Sequence, residues 1–270
     1  MGVDAVEVIT DGWAWLTTSA HWEGPGGIPT RLVEHLQYSA LALLVAVALA
    51  LPLGLLLGHT GRASIISLSI SGAARAVPTL GLLVLLNRLD PVATWPAIVV
   101  LAVLAVPPIL ANAYTGVDGV DPAVRDAARG QGMTGRQVLF GIEVPLALPI
   151  VLAGLRSATS QVIATATVAA YLGIGGLGRY IIDGVAVRDY GRVFGGAVVV
   201  AALALASELA YSLVQRAVGP GRRIPVRAVN GATGTAPAPA TADTDGPGGD
   251  AVAGTQTRDS PEHATTGGSA

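Results

Sequence analysis

Three glycines in AAYLGIGGLGRY, Gly173, Gly175 and Gly178, are spaced G-x-G-x-x-G. After a strand and at the start of a helix, such a turn cradles the pyrophosphate of a dinucleotide, with an acidic residue about 20 positions on to hold a ribose. Other chemistry is sparse. The sequence has no G-x-x-x-x-G-K, no His-Glu-x-x-His, no Cys/His cluster and no G-x-S-x-G, so a P-loop, a zinc-protease helix and a nucleophile elbow are all missing. Cysteine and lysine are absent, which excludes disulfides and thiolate metal ligands and leaves no phosphate-binding lysine. If ATP drives this protein, another chain hydrolyses it. His21, His35, His59 and His263 are scattered over loops and span ends, and no metal or cofactor is expected.

The elements that would carry these residues are apolar. Of 270 residues, 51% are hydrophobic and 13% charged, with a mean hydropathy of +0.59, more than a soluble domain of this size needs. A formal net charge of -2 gives no reason to expect a nucleic-acid partner. Five stretches are long enough to cross a bilayer, which takes about 20 residues: 35–58, bent at Pro52; 64–86, weakly apolar in its first half; 92–114, kinked at Pro107 and Pro108; 150–172, introduced by Pro145 and Pro149; and 192–217. The fold expected is an all-α membrane bundle. Residues 1–34 lack the features of a signal peptide, and Trp13, Trp15 and Trp22 suit the headgroup level. Residues 219–270, rich in Ala, Pro, Gly and Thr, cannot bury enough surface to fold and are expected to be disordered.

Basic residues set the direction, since loops rich in Lys and Arg stay cytoplasmic. With five spans and an inward C-terminus, Arg62, Arg125, Arg129, Arg136, Arg216, Arg222, Arg223 and Arg227 face the cytoplasm. Arg31, Arg88, Arg179, Arg188 and Arg192 lie outside, several beside acids such as Asp183 and Asp189. The G-x-G-x-x-G motif then follows a membrane helix rather than a strand, on the side where dinucleotides are scarce. Gly173, Gly175, Gly176 and Gly178 are read instead as a tight external turn where two helices approach closely.

The polar stretch 115–144 is long for a mere connection. Asp121 and Pro122 suit the N-cap and first position of one short helix, and TGRQ, Thr134 to Gln137, fits the capping box of a second. Its centre, DPAVRDAARGQGMTGRQVLFGIEVPLALP, resembles the EAA loop of ABC importer permeases. Asp126, Ala127, Ala128 and Gly132 match Glu-Ala-Ala-x-x-x-Gly, with Asp in the acidic place. The small side chains allow close approach of a partner, and the glycine permits the turn between the helices. HWEGPGGIPTRLVEHLQYSALAL, ARAVPTLGLL and LAGLRSATSQVIATATVAAYLGIGGLG are similar to permeases of osmoprotectant importers, a likeness covering about residues 20–218. It implies a type I importer permease that carries glycine betaine, choline, carnitine or proline betaine. It further implies a second permease copy or paralogue, an extracytoplasmic binding protein, and two ATPase subunits coupled through Arg125, Asp126, Ala127, Ala128, Arg129 and Gly132.

Within the fourth span, Ser157, Ser160, Gln161, Ala164, Thr165 and Val168 share one helix face, while Thr159 points elsewhere. A small polar stripe in lipid either packs against another helix or lines a water-accessible path. Glu208, inside the fifth span, is costly as an isolated charge and needs a partner, in a structural pair or in a gate. Arg75 can snorkel to the cytoplasmic surface. Quaternary ammonium groups are held by aromatic cages, and at 4% aromatic residues this chain leaves high-affinity capture to the binding protein. Two other readings stay open: a permease for another small solute such as an amino acid, or an ATP-independent secondary transporter, which often shows inverted repeats. A non-transporting scaffold would leave the stripe as packing alone.

Overall fold

The computed structural model describes residues 4–61, 79–90 and 93–218, and these are helix and turn throughout. The helices are α1 (Ala5–Thr17), α2 (Ile28–Thr60), α3 (Thr79–Asn87), α4 (Trp95–Asp118), α5 (Pro122–Gly130), α6 (Gly135–Val138), α7 (Val144–Ala169), α8 (Gly178–Val187) and α9 (Tyr190–Val218). A π-turn, Leu139–Glu143, joins α6 to α7, so that helix runs from Gly135 to Leu172 with the short 3-10 turn at its end. Among the described residues, four helical segments are long and apolar enough to cross a membrane: Ile28–Thr60, Trp95–Asp118, Gly135–Leu172 and Tyr190–Val218. Most of the expected span 64–86 lies outside the described residues, as do Arg62, Arg75 and 219–270. Only its last part appears, as α3.

The helices extend past the apolar counts. α2 begins at Ile28, with Pro29 in its first turn, where a missing N–H costs nothing. Pro145 and Pro149 fall inside helix rather than ahead of it: Pro145 opens α7, and the π-turn lets the Val144 amide bond the Leu139 carbonyl. Around Pro107 and Pro108, α4 stays helical, and the Asn112 side chain donates to the Pro108 carbonyl at 2.8 Å.

α2, α4 and α7 form the centre. Between helices in lipid there is little hydrophobic drive, so close backbone approach through small residues carries the packing. Ser39, Ala42, Ala46, Ala50, Gly54 and Gly58 form the buried ridge of α2. A Cβ added to Gly54 would lie 2.8 Å from the Leu110 carbonyl oxygen of α4, and one on Gly154 of α7 would lie 2.9 Å from that of Pro108. α9 packs on the far side of α7. α1 lies across the start of α9, with Gly12 against Phe194 and Gly195 against Trp15. Trp15 is thus drawn into the protein, stacked on His21 at 4.4 Å, while Trp13 and Trp22 are exposed.

Candidate functional site

At one end of the bundle the polar loop folds as two short helices. Asp121 caps α5 by accepting from the Ala123 amide at 2.8 Å. α5 ends in a Schellman turn: the Gly132 amide bonds the Arg129 carbonyl at 2.9 Å and the Met133 amide bonds that of Ala128 at 3.2 Å, with Gly132 at φ +83°. That conformation is the reason for glycine here. Gln137 then reaches back to accept from the Thr134 amide at 2.7 Å. Ala127, Asp126 and Arg129 are exposed and Ala128 is buried, with a weak surface pair between Arg129 and Asp126 at 3.8 Å. Beside them lies an apolar groove of about 380 Å³, lined by Ala123, Val124, Ala127, Ala128, Gln131, Met133 and Ile142. Its floor of alanines leaves room for an inserted partner surface.

Behind the groove sits a group that sequence reading passed over. Glu143, at the end of the π-turn, is 0% exposed. Its Oε2 accepts from His59 Nδ1 of α2 at 2.6 Å, and its Oε1 lies 2.8 Å from Arg125 Nε of α5. This second contact is between charges, without hydrogen-bond alignment. Arg125 also donates to the Val117 carbonyl at the end of α4. An acidic residue closing the apolar run VLFGIEV was the available signal.

The stripe on α7 turns away from the α2–α4 core. Ala158, Val162 and Ala166 fill that core, whereas Ser157, Ala164 and Val168 are exposed and Ser160, Gln161 and Thr165 half-buried. Thr159 does point elsewhere, to the Leu155 carbonyl and the Tyr211 hydroxyl, each at 2.9 Å. Glu208 of α9 has its partners on α7: it pairs with Arg156 and accepts from the Ser160 hydroxyl. Arg156, an ionisable residue inside an apolar run just as Glu208 is, carried a readable signal that was not taken up. Both charges lie within spanning segments, where one left without its partner is costly. Arg156→Gln and Glu208→Gln are therefore each expected to lower thermal stability in detergent, and the double variant to lose less than the two losses combined.

At the opposite end, Gly173, Gly175 and Gly176 have φ of +80°, +93° and +78° and carry the chain from α7 to α8. α2 clasps this turn. Glu34 accepts from the Gly176 amide at 2.8 Å and pairs with Arg31 at 2.9 Å; Tyr38 donates to the Ile174 carbonyl; buried His35 donates to that of Ile163 at 3.1 Å. Tyr180 donates to the Gly26 carbonyl at 2.7 Å. Burial pushes its phenol above the ordinary range, against the opposing pull of Arg31 and Arg192, so it stays a neutral donor. Neither strand nor phosphate cradle is present at this turn: the Glu34 carboxylate fills the space over Gly175.

Apolar helices of spanning length, an exposed short helix beside an apolar groove at one end and a polar, charge-paired face along one span are the features of a membrane transport subunit. The chain belongs to the family described as binding-protein-dependent transport system inner membrane component, which matches residues 50–224. It is similar to the carnitine transport permease protein OpuCB of Listeria monocytogenes, 35% identical over 194 residues, 70% of this chain and 89% of that one. The glycine betaine/carnitine/choline permease OpuCB of Bacillus subtilis is 36% identical over 187 residues, 69% and 86% of the two chains. The fold matches that of the MetNI methionine ABC transporter in an inward-facing conformation, with a TM-score of 0.61, 23% identity, and 70% of this chain and 94% of the other covered. The chain is thus a multi-pass permease subunit of an ABC importer, with the type I fold.

Proposed function

We propose that this subunit forms, with a second permease copy or paralogue, the path by which a small quaternary-ammonium osmoprotectant such as glycine betaine, choline, carnitine or proline betaine enters the cell. An extracytoplasmic binding protein delivers the solute, and two ATPase subunits drive the cycle by pressing on α5. The observation that carries this reading is the groove beside Ala127 and Ala128, set on a capped helix pair that projects from the bundle end. The solute class is drawn from the relatives, whose names specify carnitine, choline and glycine betaine.

Orientation follows from charge. By the five-span order of the sequence, Arg62, Arg125, Arg129, Arg136, Arg216, Arg222, Arg223 and Arg227 fall on the α5 side, against Arg31, Arg88, Arg179, Arg188 and Arg192 on the other, and the arginine-richer side is cytoplasmic. The N-terminus is then outside. Substrate passes along the face of α7 that carries Ser157, Ser160, Gln161 and Thr165, with Ser160 bonded to Glu208 of α9. Alternating access requires contacts that differ between two states, and the exposed positions on this face, Ser157, Ala164 and Val168, are free to make them.

The test is uptake of radiolabelled glycine betaine, choline and carnitine into proteoliposomes that hold the full complex, with and without ATP. ATP-dependent accumulation of at least one is expected. Uptake indifferent to ATP, or restricted to amino acids, overturns the assignment. The chain's lack of cysteine permits a direct test of the path. Cysteines at Ser157, Ser160 and Thr165 are expected to react with a charged thiol reagent during turnover, while one at Ala158, in the core, stays protected. Inertness at all three positions removes α7 from the path.

A further inference from the structure

The docking helix has an outer face that a partner can press and an inner face that must pass the motion on. We infer that Glu143 is a positioning residue that locks the docking helix, the end of α2 and the start of α7 into one lever, so that a push on the groove reaches the spans. This rests on reading the loop as the ATPase docking site.

The carboxylate is fully buried, and its two oxygens face different elements, His59 at the end of α2 and Arg125 on α5. Arg125 in turn donates to Val117, in the last turn of α4. Four elements therefore meet at one acid–base junction. His59 turns Nδ1 to the carboxylate and directs Nε2 toward α6, where a Cβ added to Gly135 would lie 3.4 Å away. Apolar packing resists separation but is non-directional, so it lets a short helix slide. A hydrogen bond from His59 together with a buried charge contact to Arg125 resists that sliding, because both weaken as the elements move apart. Buried pairs of this kind are poor stabilisers compared with apolar packing, and their best-attested use is to fix register.

The π-turn sets the geometry. One extra residue in a helix rotates everything beyond it by about 100°. The turn closes at Glu143 itself, the residue aimed inward. Ile142, its neighbour in sequence, lines the groove outside. Adjacent residues thus face the two surfaces that the lever connects.

The experiment uses the full complex with its ATPase subunits in liposomes. ATP hydrolysis and uptake of labelled glycine betaine and choline are measured on the same sample. Spin labels on cysteines at exposed Thr60 and Gly130 report the spacing of α2 from α5. In the wild-type background that spacing is expected to hold through ATP and vanadate. Glu143→Gln is expected to co-purify with the ATPase and support hydrolysis, while solute carried per ATP falls about tenfold and the label distance broadens. Because the single variant leaves Arg125 without its counter-charge, the double variant R125M/E143L supplies an apolar replacement. It is expected to restore abundance but not coupling. Wild-type solute per ATP in E143Q, or recovery of uptake along with abundance in the double variant, overturns the inference. Absence of ATPase from the wild-type preparation overturns the docking reading itself, and the inference with it.

Discussion

Gly132→Trp reaches the membrane at wild-type abundance but does not co-purify with its ATPase subunits, and uptake is lost: this is the expected result. Two structural facts separate folding from docking here. A Cβ at Gly132 meets nothing within 4 Å, so the subunit itself has room for a large side chain. The φ of +83° penalises any L-residue, at roughly 1–2 kcal/mol. That is enough to loosen the Schellman turn but not to unfold spans packed elsewhere. The indole then projects from the helix pair at the surface the partner must approach. Gly132→Ala carries the conformational cost without the bulk and is expected to keep partial complex formation. Pull-down of the ATPase at matched membrane abundance measures both. Full-rate import by Gly132→Trp ends the reading of this loop as the transmission point.

Gly178→Ala, a change of one methyl group, is expected to be among the most damaging single substitutions in the chain. The added Cβ collides with the backbone carbonyl of Thr167, and a backbone atom has no rotamer by which to withdraw. Overpacking of this kind costs about 1–3 kcal/mol, and α8 is displaced from the end of α7. Gly173 differs. It needs φ +80° but has open space about it, and asparagine is one of the few residues that visits that region readily. Gly173→Asn is therefore expected to remain close to wild type. Thermal unfolding in detergent, followed by fluorescence-detected size exclusion, compares the two. If Gly178→Ala proves as stable as Gly173→Asn, the third glycine does not serve close packing. The contrast also explains the resemblance to a dinucleotide fingerprint: both kinds of turn need glycine for close approach and positive φ, and in this one the acceptor is the Glu34 carboxylate.

Much of the site could be read in advance because its causes are local. Asp121 and Pro122 start α5, Gly132 ends it and Gln137 caps α6, each acting on amides within a few residues. Span lengths follow from apolar runs, and the shared face of Ser157, Ser160 and Thr165 follows from helical period. Apolar counting marks spans from 35 and 150, and the helices that carry them begin earlier, at Ile28 and Gly135, because helix formation does not require lipid-soluble side chains.

The rest depends on residues far apart in the chain. Glu208 has Arg156 as its partner across 52 positions and His59 meets Glu143 across 84, and no periodicity within either segment encodes that meeting. Which side of α7 meets which helix was equally undetermined from its own residues: α2 and α4 pack against Ala158 and Val162, while Arg156 and Ser160 meet Glu208 of α9. The sequence by itself determined which stretches are helical, how the α5–α6 pair is capped and which residues share a face, since hydrogen bonds and side-chain spacing within one segment are enough for that. Only tertiary structure decided which charges neutralise one another and which helix each face meets, because burial and Coulomb energy are properties of pairs of segments brought together in space.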